Sequence, residues 1–417
     1  MGFRRCLPSF RAEIRVTLRF VGSPSIMPVY YFFQKLIMHQ PLRSRDVRAS
    51  NENLVLSLLF HEGSASQSAV VQKTGLKAPT VFRIFSNLET QGFIRPCPEA
   101  AQTTERKGRR PNVYCVEPSS GYAIGVDFSR LAAAVVVVNF ANEVIHHADL
   151  ELSGNDDRDS VLETLEQLIQ SAIEISGIPV DAILGIGLAA PGVVDTATGT
   201  VVDYRRIEGI SGYSLRDHFE KRFSVPVYVH NNASVIAASA YHYGAAQEVD
   251  SLLTVLVRGG VGAALITHGN IFLNGTATVL ELGRTTLMPE SFENVAQDVD
   301  TLEQIVAERP LLDRVREHYP ISSWEEAEEH LTAVEVSSAL HRERLALAMA
   351  IRNLHHLFHP EAVLLVTRFP ILSKVFGDAI RAALPERTVT PSVYDPVQAC
   401  FGATDIVFRQ FFATTRP

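Results

Sequence analysis

The 417 residues, 46% hydrophobic and 20% charged, are enough to bury a substantial core and to form two or three domains. A net charge of −8 conceals a division: residues 1–120 carry 17 lysines and arginines against 8 acidic residues, whereas the remainder carries 21 against 38. A basic module on an acidic body suits a chain that binds a polyanion at one end only. Four scattered cysteines, Cys6, Cys97, Cys115 and Cys400, with no CxxC, argue against a disulfide framework or zinc cluster and fit a reducing cytoplasm.

Arginines at 4, 5, 11, 15 and 19 interrupt any apolar run long enough for a signal core or a membrane span, so no membrane partner is expected. Met27 and Met38 are further candidate starts, and residues 1–45 read as a flexible N-terminal extension. From Asn51 the pattern turns helical, with Leu54, Val55, Leu58 and Leu59 on one face and Gly63 as the stop. A short second helix runs from Ser66 to Thr74 and ends at Gly75. The third opens with Pro79 in its first turn and places Val81, Ile84, Phe85 and Leu88 at core spacing, leaving Thr80, Arg83 and Asn87 opposite. Two helices joined by a tight glycine turn, the second with a polar outer face, predict a helix-turn-helix.

A strand at Phe93–Ile94 and another at Val113–Val116 flank Arg106, Lys107, Arg109 and Arg110, which reads as a wing with four cations at its tip. These cations, with Lys77, Thr80 and Arg83 on the recognition helix, are the candidate contacts to a double-stranded DNA operator. The competing reading is a small protein-interaction domain with a solvated basic turn. The order, spacing and charge of independent features favour DNA.

From Gly121 onward strands and helices alternate, so the class is α/β. Tyr122–Asp127 and Ala132–Phe140 read as strands, the apolar run Ala133–Val138 long enough to be buried on both faces. A helix follows at about Ser160–Ser176 and a strand at Ile183–Ala190. Four segments then occur in a telling order: Gly185–Asp195; Val225–Ser234 with Asn231-Asn232-Ala233-Ser234; the glycine turn Arg258–Gly262 with Asn274-Gly275; and Glu281-Leu282-Gly283. In that order, from about residue 48 to the C-terminus, the chain resembles the ROK family of repressors and sugar kinases. The winged helix before them resembles the repressor branch, of the xylose-repressor and N-acetylglucosamine-repressor type.

The resemblance implies a winged helix-turn-helix at 46–118 and a two-lobed actin-like ROK domain at 119–417. Lobe one is then about 119–245 plus a C-terminal helix at about 400–417, and lobe two about 246–399. It also implies a small-molecule effector (a sugar, sugar acid or sugar phosphate) bound between the lobes near Asn231, Asn232, Glu281 and Arg284.

Several family positions have changed. The phosphate-approach motif Asp-x-Gly-x-Thr is here Asp127-Phe128-Ser129-Arg130-Leu131, without its glycine and threonine. The catalytic aspartate of the Asn-Asp-Ala-Asn motif is Asn232, whose amide cannot accept the substrate proton. The family's Glu-x-Gly-His histidine is Arg284, and no cysteine follows it, so no structural zinc, other metal or cofactor is expected. Arg284 is suited either to an anionic sugar or to pairing with Glu281 or a neighbouring carboxylate in place of the metal. His355, His356 and His359 read as the polar end of a helix rather than a metal site.

The expected function is a cytoplasmic, catalytically inactive, effector-controlled repressor acting as a homodimer or homotetramer. The alternatives are an ATP-dependent sugar kinase with an appended DNA-binding module and a ligand-independent DNA-binding dimer.

Overall fold

The computed structural model describes residues 44–97, 112–244, 246, 249–273, 275, 277, 280–287 and 299–414. The proposed extension lies outside these up to residue 43, and Arg106, Lys107, Arg109, Arg110 and Asn274 lie outside them too.

The first module comprises α1 (Ser44–Glu62), β1 (Ser64–Ser66), α2 (Gln67–Thr74), α3 (Ala78–Thr90), β2 (Ile94–Pro96) and β3 (Val113–Val116). Its antiparallel sheet has the order β1-β3-β2, which makes it a winged helix. Ser66 caps α2 through the Ala69 amide, and Gly75 closes it at φ 69°, a left-handed conformation that glycine adopts without steric cost. This sharp stop sets α3 across α2, with Val81, Ile84, Phe85 and Leu88 of α3 buried.

Two features of the module depart from the sequence reading. Helix α1 buries Val55, Leu56, Leu59 and Phe60, a face turned toward Phe60 from the predicted one because the body packs there. The expectation that the cysteines stay apart also fails. Cys97 and Cys115 form a disulfide with their Cα atoms 5.7 Å apart, because β2 and β3 pair and bring residues 18 positions apart into neighbouring register.

The body holds two sheets. The first comprises β4 (Tyr122–Phe128), β5 (Ala132–Asn139), β6 (Val144–Glu151), then, after α4 (Arg158–Ser176), β7 (Ile183–Ala190). A small three-stranded sheet, β8 (Val193–Asp195), β9 (Thr200–Asp203) and β10 (Tyr213–Ser214), leads into α5 (Leu215–Phe223), the last strand β11 (Val227–Asn231) and α6 (Asn232–Tyr243). The second sheet comprises β12 (Ser251–Val257), β13 (Val261–Thr267) and β14 (Asn270–Ile271). A helical layer follows: α7 (Leu302–Val306), α8 (Glu308–Arg316), α9 (Trp324–His330), α10 (Ala333–Ala339) and α11 (His341–Phe358). The chain ends with β15 (Ala362–Thr367), α12 (Pro370–Ala383), β16 (Thr388–Val393) and α13 (Pro396–Ala413).

The orders are β11-β7-β4-β5-β6 and β14-β13-β12-β15-β16. Each sheet therefore repeats one plan: an antiparallel meander of three strands, with two parallel strands added beside the first. The last helix of each half packs on the other half. Helix α6 leaves the first sheet and covers β12 and β13, whereas α13 leaves the second and lies on β4 and β7. Side-chain-free strand surface makes the second contact possible, since a Cβ at Gly125 or Gly187 would collide with the backbone of Cys400 or Ala403 in α13.

One aromatic cluster joins the module to the body. Phe60 of α1 meets Phe408 of α13 at 4.7 Å and Phe140, just past β5, at 5.6 Å between ring centroids. Phe93, Phe411 and Phe412 complete the cluster. The side-chain amide of Asn53 adds a hydrogen bond to the Thr414 carbonyl. Since Phe408 touches both module and body and is fully buried, Phe408→Ala should destabilise the chain by about 3–5 kcal/mol. Hydrogen exchange should accelerate in α1 as well as in α13. Acceleration confined to α13 would show that the module is held by other contacts.

Candidate functional site

Strands β4 and β7 of the first sheet, the N-terminus of α6 and the glycine turn after β12 converge at one point. Asp127, near the end of β4, is there with its side chain almost wholly buried. A carboxylate in that position must be paired, and the donors come from both halves. Asn232 donates its amide to Asp127 Oδ1 and also to the carbonyls of Phe128 and Ala189. Arg258 approaches Oδ2 at 3.3 Å, and the Tyr394 hydroxyl donates to the same oxygen.

The Arg258 guanidinium also lies 3.9 Å from the centre of the Tyr394 ring, a cation–π contact that offsets part of its lost hydration. Burial opposes the charge on Arg258, but Asp127, Tyr394 and Glu308 outweigh it and raise its pKa. Burial raises the Tyr394 hydroxyl, and the negative charge of Asp127 raises it further, so it remains a donor.

The glycine turn Gly259-Gly260 is itself occupied. The Val261 amide donates to Glu303 Oε2 at 3.0 Å, and Arg206 binds both Glu303 and the Gly259 carbonyl. A carboxylate of the chain thus sits where such a turn would present its amide to a phosphate.

Of the residues singled out in the sequence, Asn231 and Asn232 lie side by side at the start of α6. Asn231 caps the helix through the Ala233 amide and donates to the Gly192 carbonyl at 2.7 Å, so both amides support local backbone. Glu281 and Arg284 are exposed at the ends of a 3-10 turn. Arg284 reaches Asp203 of β9 at 3.3 Å. Arg258, Tyr394, Arg206 and Glu303 escaped the reading of the sequence. The only local signal was the position of Arg258 directly before the glycine turn.

The DNA-facing candidates divide differently. Lys77 is exposed at the N-cap of α3 and Arg83 is exposed on its outer face. Thr80 is half-buried at the edge of that face, and Asn87 is tied to Glu52 of α1 at 3.1 Å. His355, His356 and His359 end α11, with His359 in the left-handed cap; among the described residues no group of side chains is arranged to hold a metal. No helix of the described residues is long and apolar enough to cross a membrane.

A second consequence of burial lies behind Arg258. Burial pushes the Glu308 carboxyl up to about 7, against the pull of Arg258 and Arg368, and its Oε1 has no hydrogen-bond partner. The folded chain therefore keeps a proton that the unfolded chain releases above its ordinary value of 4.5. Stability from this group is full below 4.5, falls as pH rises to about 7 and is flat above. Glu308→Gln should remove that fall, raising stability at pH 8 by about 3 kcal/mol and leaving it unchanged at pH 4. Parallel stability curves for the two proteins in denaturant titrations would show that Glu308 does not titrate in this window.

The sequence profile of the ROK family matches residues 123–399. A xylose repressor from Caldicellulosiruptor bescii is 23% identical over 361 residues, covering 83% of this chain and 90% of its own. The DNA-binding transcriptional dual regulator NagC of Escherichia coli K12 is 25% identical over 272 residues, 64% of this chain and 65% of its own. Among solved structures, a ROK family transcriptional regulator homologous to the E. coli MLC protein superposes with a TM-score of 0.71 at 17% identity, covering 88% of this chain and 97% of that one. A ROK family glucokinase from Streptomyces griseus, in complex with glucose and AMPPNP, superposes with a TM-score of 0.59 at 20% identity over 70% of this chain and all of that one. With the family profile spanning most of the body behind a winged helix, the chain belongs to the ROK family.

Proposed function

We propose that the chain is a DNA-binding transcriptional repressor controlled by a sugar or sugar derivative bound between the lobes of a catalytically inactive ROK domain. The observation that carries this reading is the winged helix itself, docked through Phe60, Phe140 and Phe408 with the outer face of α3 exposed. Its relatives by sequence include proteins named as a xylose repressor and NagC. The working division is a winged helix at 46–118 and a ROK domain at 119–417, with lobe one about 119–245 plus 400–417 and lobe two about 246–399. A homodimer or homotetramer would present paired recognition helices to a two-fold operator.

Three features argue against phosphoryl transfer. Asn232 has no carboxylate with which to take a proton from a sugar hydroxyl. Asp127 is already engaged by Arg258, Tyr394 and Asn232. Glu303 places negative charge against the glycine turn, where it would repel a phosphate. A ligand would instead act by favouring one arrangement of the halves, which Arg258, Arg206 and Arg284 bridge through Asp127, Glu303 and Asp203. The retained Asp127 and the likeness to a glucokinase fold keep a kinase as the second reading.

The deciding experiment is a thermal-shift screen with neutral sugars, sugar acids and sugar phosphates, with each hit retested for its effect on binding to DNA upstream of the chain's own gene. A ligand that raises the melting temperature and changes DNA affinity is expected, with no ATP turnover in a coupled assay. Sugar-dependent ATP turnover would establish the kinase reading instead. Replacing Arg109 and Arg110 together by alanine should lower the salt-dependence slope by about 0.9 for each phosphate that is no longer neutralised. An unchanged slope and affinity would remove both residues from the interface.

A further inference from the structure

Helix α3 presents an exposed face made by Ala78, Pro79, Phe82, Arg83 and Ser86, opposite its buried stripe. Phe82 lies within this face and is 64% exposed, the most exposed phenylalanine among the described residues. Its neighbour Phe85 points inward and meets Tyr114 of β3 edge-on at 5.1 Å. The buried stripe of the helix is complete without Phe82, whose ring lies outside the core and is mostly exposed. It stands in the first two turns of α3, the part of a recognition helix that meets base edges, beside the cation of Arg83.

We infer that Phe82 is a specificity-determining residue that packs on a thymine 5-methyl group in the major groove. This rests on the DNA-binding reading above and adds to it the base feature that the helix reads. The chemistry of the face narrows the choice. Arg83 supplies donors, matching guanine acceptors or phosphate, and Ser86 is a short hydroxyl. A phenyl ring has neither donor nor acceptor, and the thymine methyl is the one apolar group that the major groove offers to distinguish base pairs. On the free protein the ring is hydrated; on the methyl both surfaces lose water together. Phe82 thus makes one position of each half-site selective for thymine, while Arg83 and Lys77 hold the helix in register.

The test uses the full chain and duplexes that it selects from a random-sequence library. Each thymine of the selected site is then replaced by deoxyuridine, which removes only the methyl group. At one position per half-site, affinity should fall about fourfold for each methyl removed. Phe82→Ala and Phe82→Ser should bind the thymine and deoxyuridine duplexes equally and should select sites with no thymine preference there. Both variants should melt with the parent chain, because the ring is outside the core. If the variants retain the thymine preference, or if the parent chain ignores deoxyuridine at every position, the inference is wrong while the DNA-binding reading stands. If no duplex is enriched at all, the DNA-binding reading fails and takes this inference with it.

Discussion

The contact on which most of the structure depends is that of helix α13 with the bare backbone of β4 and β7. Gly125 and Gly187 leave the strand surface open, so the backbone of α13 around Cys400 and Ala403 lies directly against it. Ala403, Thr404 and Val407 of α13 lie against this strand surface. Phe408 and Phe412 then reach α1 of the winged helix, and Asp405 and Arg409 reach the C-terminal end of α6. A side chain at either glycine would lift the helix and loosen all of these contacts at once. Close packing transmits such a displacement because no empty space is left to absorb it.

Charge pairing sets how the two halves of the body meet. Arg284 with Asp203 and Arg206 with Glu303 are partly hydrated, and such pairs individually contribute little. Arg258 with Asp127 differs, because neither partner has water to return to unless the halves separate. Breaking that pair leaves a buried charge uncompensated, a much larger cost than the pair's net worth. A ligand entering between the halves must therefore supply hydrogen bonds to Asp127 and Arg258, or leave their pairing intact. Hydroxyl groups, which both donate and accept, can do either.

Local order was the readable part of this sequence. The helix periodicities and the stop at Gly75 follow from neighbours within one or two turns, and the strands of the body from runs of apolar residues. The meaning of Asn232 was also legible, since replacing a carboxylate by an amide removes a base wherever the residue sits. What escaped was contact across long separations. Arg284 finds Asp203 81 positions away, and Glu303 closes a glycine turn more than forty positions earlier. Cys97 and Cys115 pair through strand register, which spacing alone cannot give. Phe82 was passed over because an apolar residue next to a regular core stripe reads as part of it until the helix is seen in place.

The path from the candidate site to the winged helix follows from the position of α6. Its first residue, Asn232, holds Asp127, and its last turn carries His242 and Tyr243, about 16 Å away by helical rise. Tyr243 donates to Asp405 at 2.6 Å, and Arg409 donates to both Asp405 and the His242 ring. Burial, reinforced by Arg409, lowers the His242 pKa to about 4, so the ring is neutral at physiological pH and its Nε2 accepts that bond. Burial alone would raise Asp405, but the Arg409 guanidinium and the Tyr243 hydroxyl reverse this and lower its pKa. The far end of α6 is thus joined to α13 by a hydrogen-bonded network around the buried Asp405, and α13 is joined to α1 by phenylalanine rings. Helix α6 thus has one end on Asp127 and the other on the helix that supports the winged helix. A ligand that re-paired Asp127 would act at the start of this helix, and any coupling it had to the far end would hold equally in both directions.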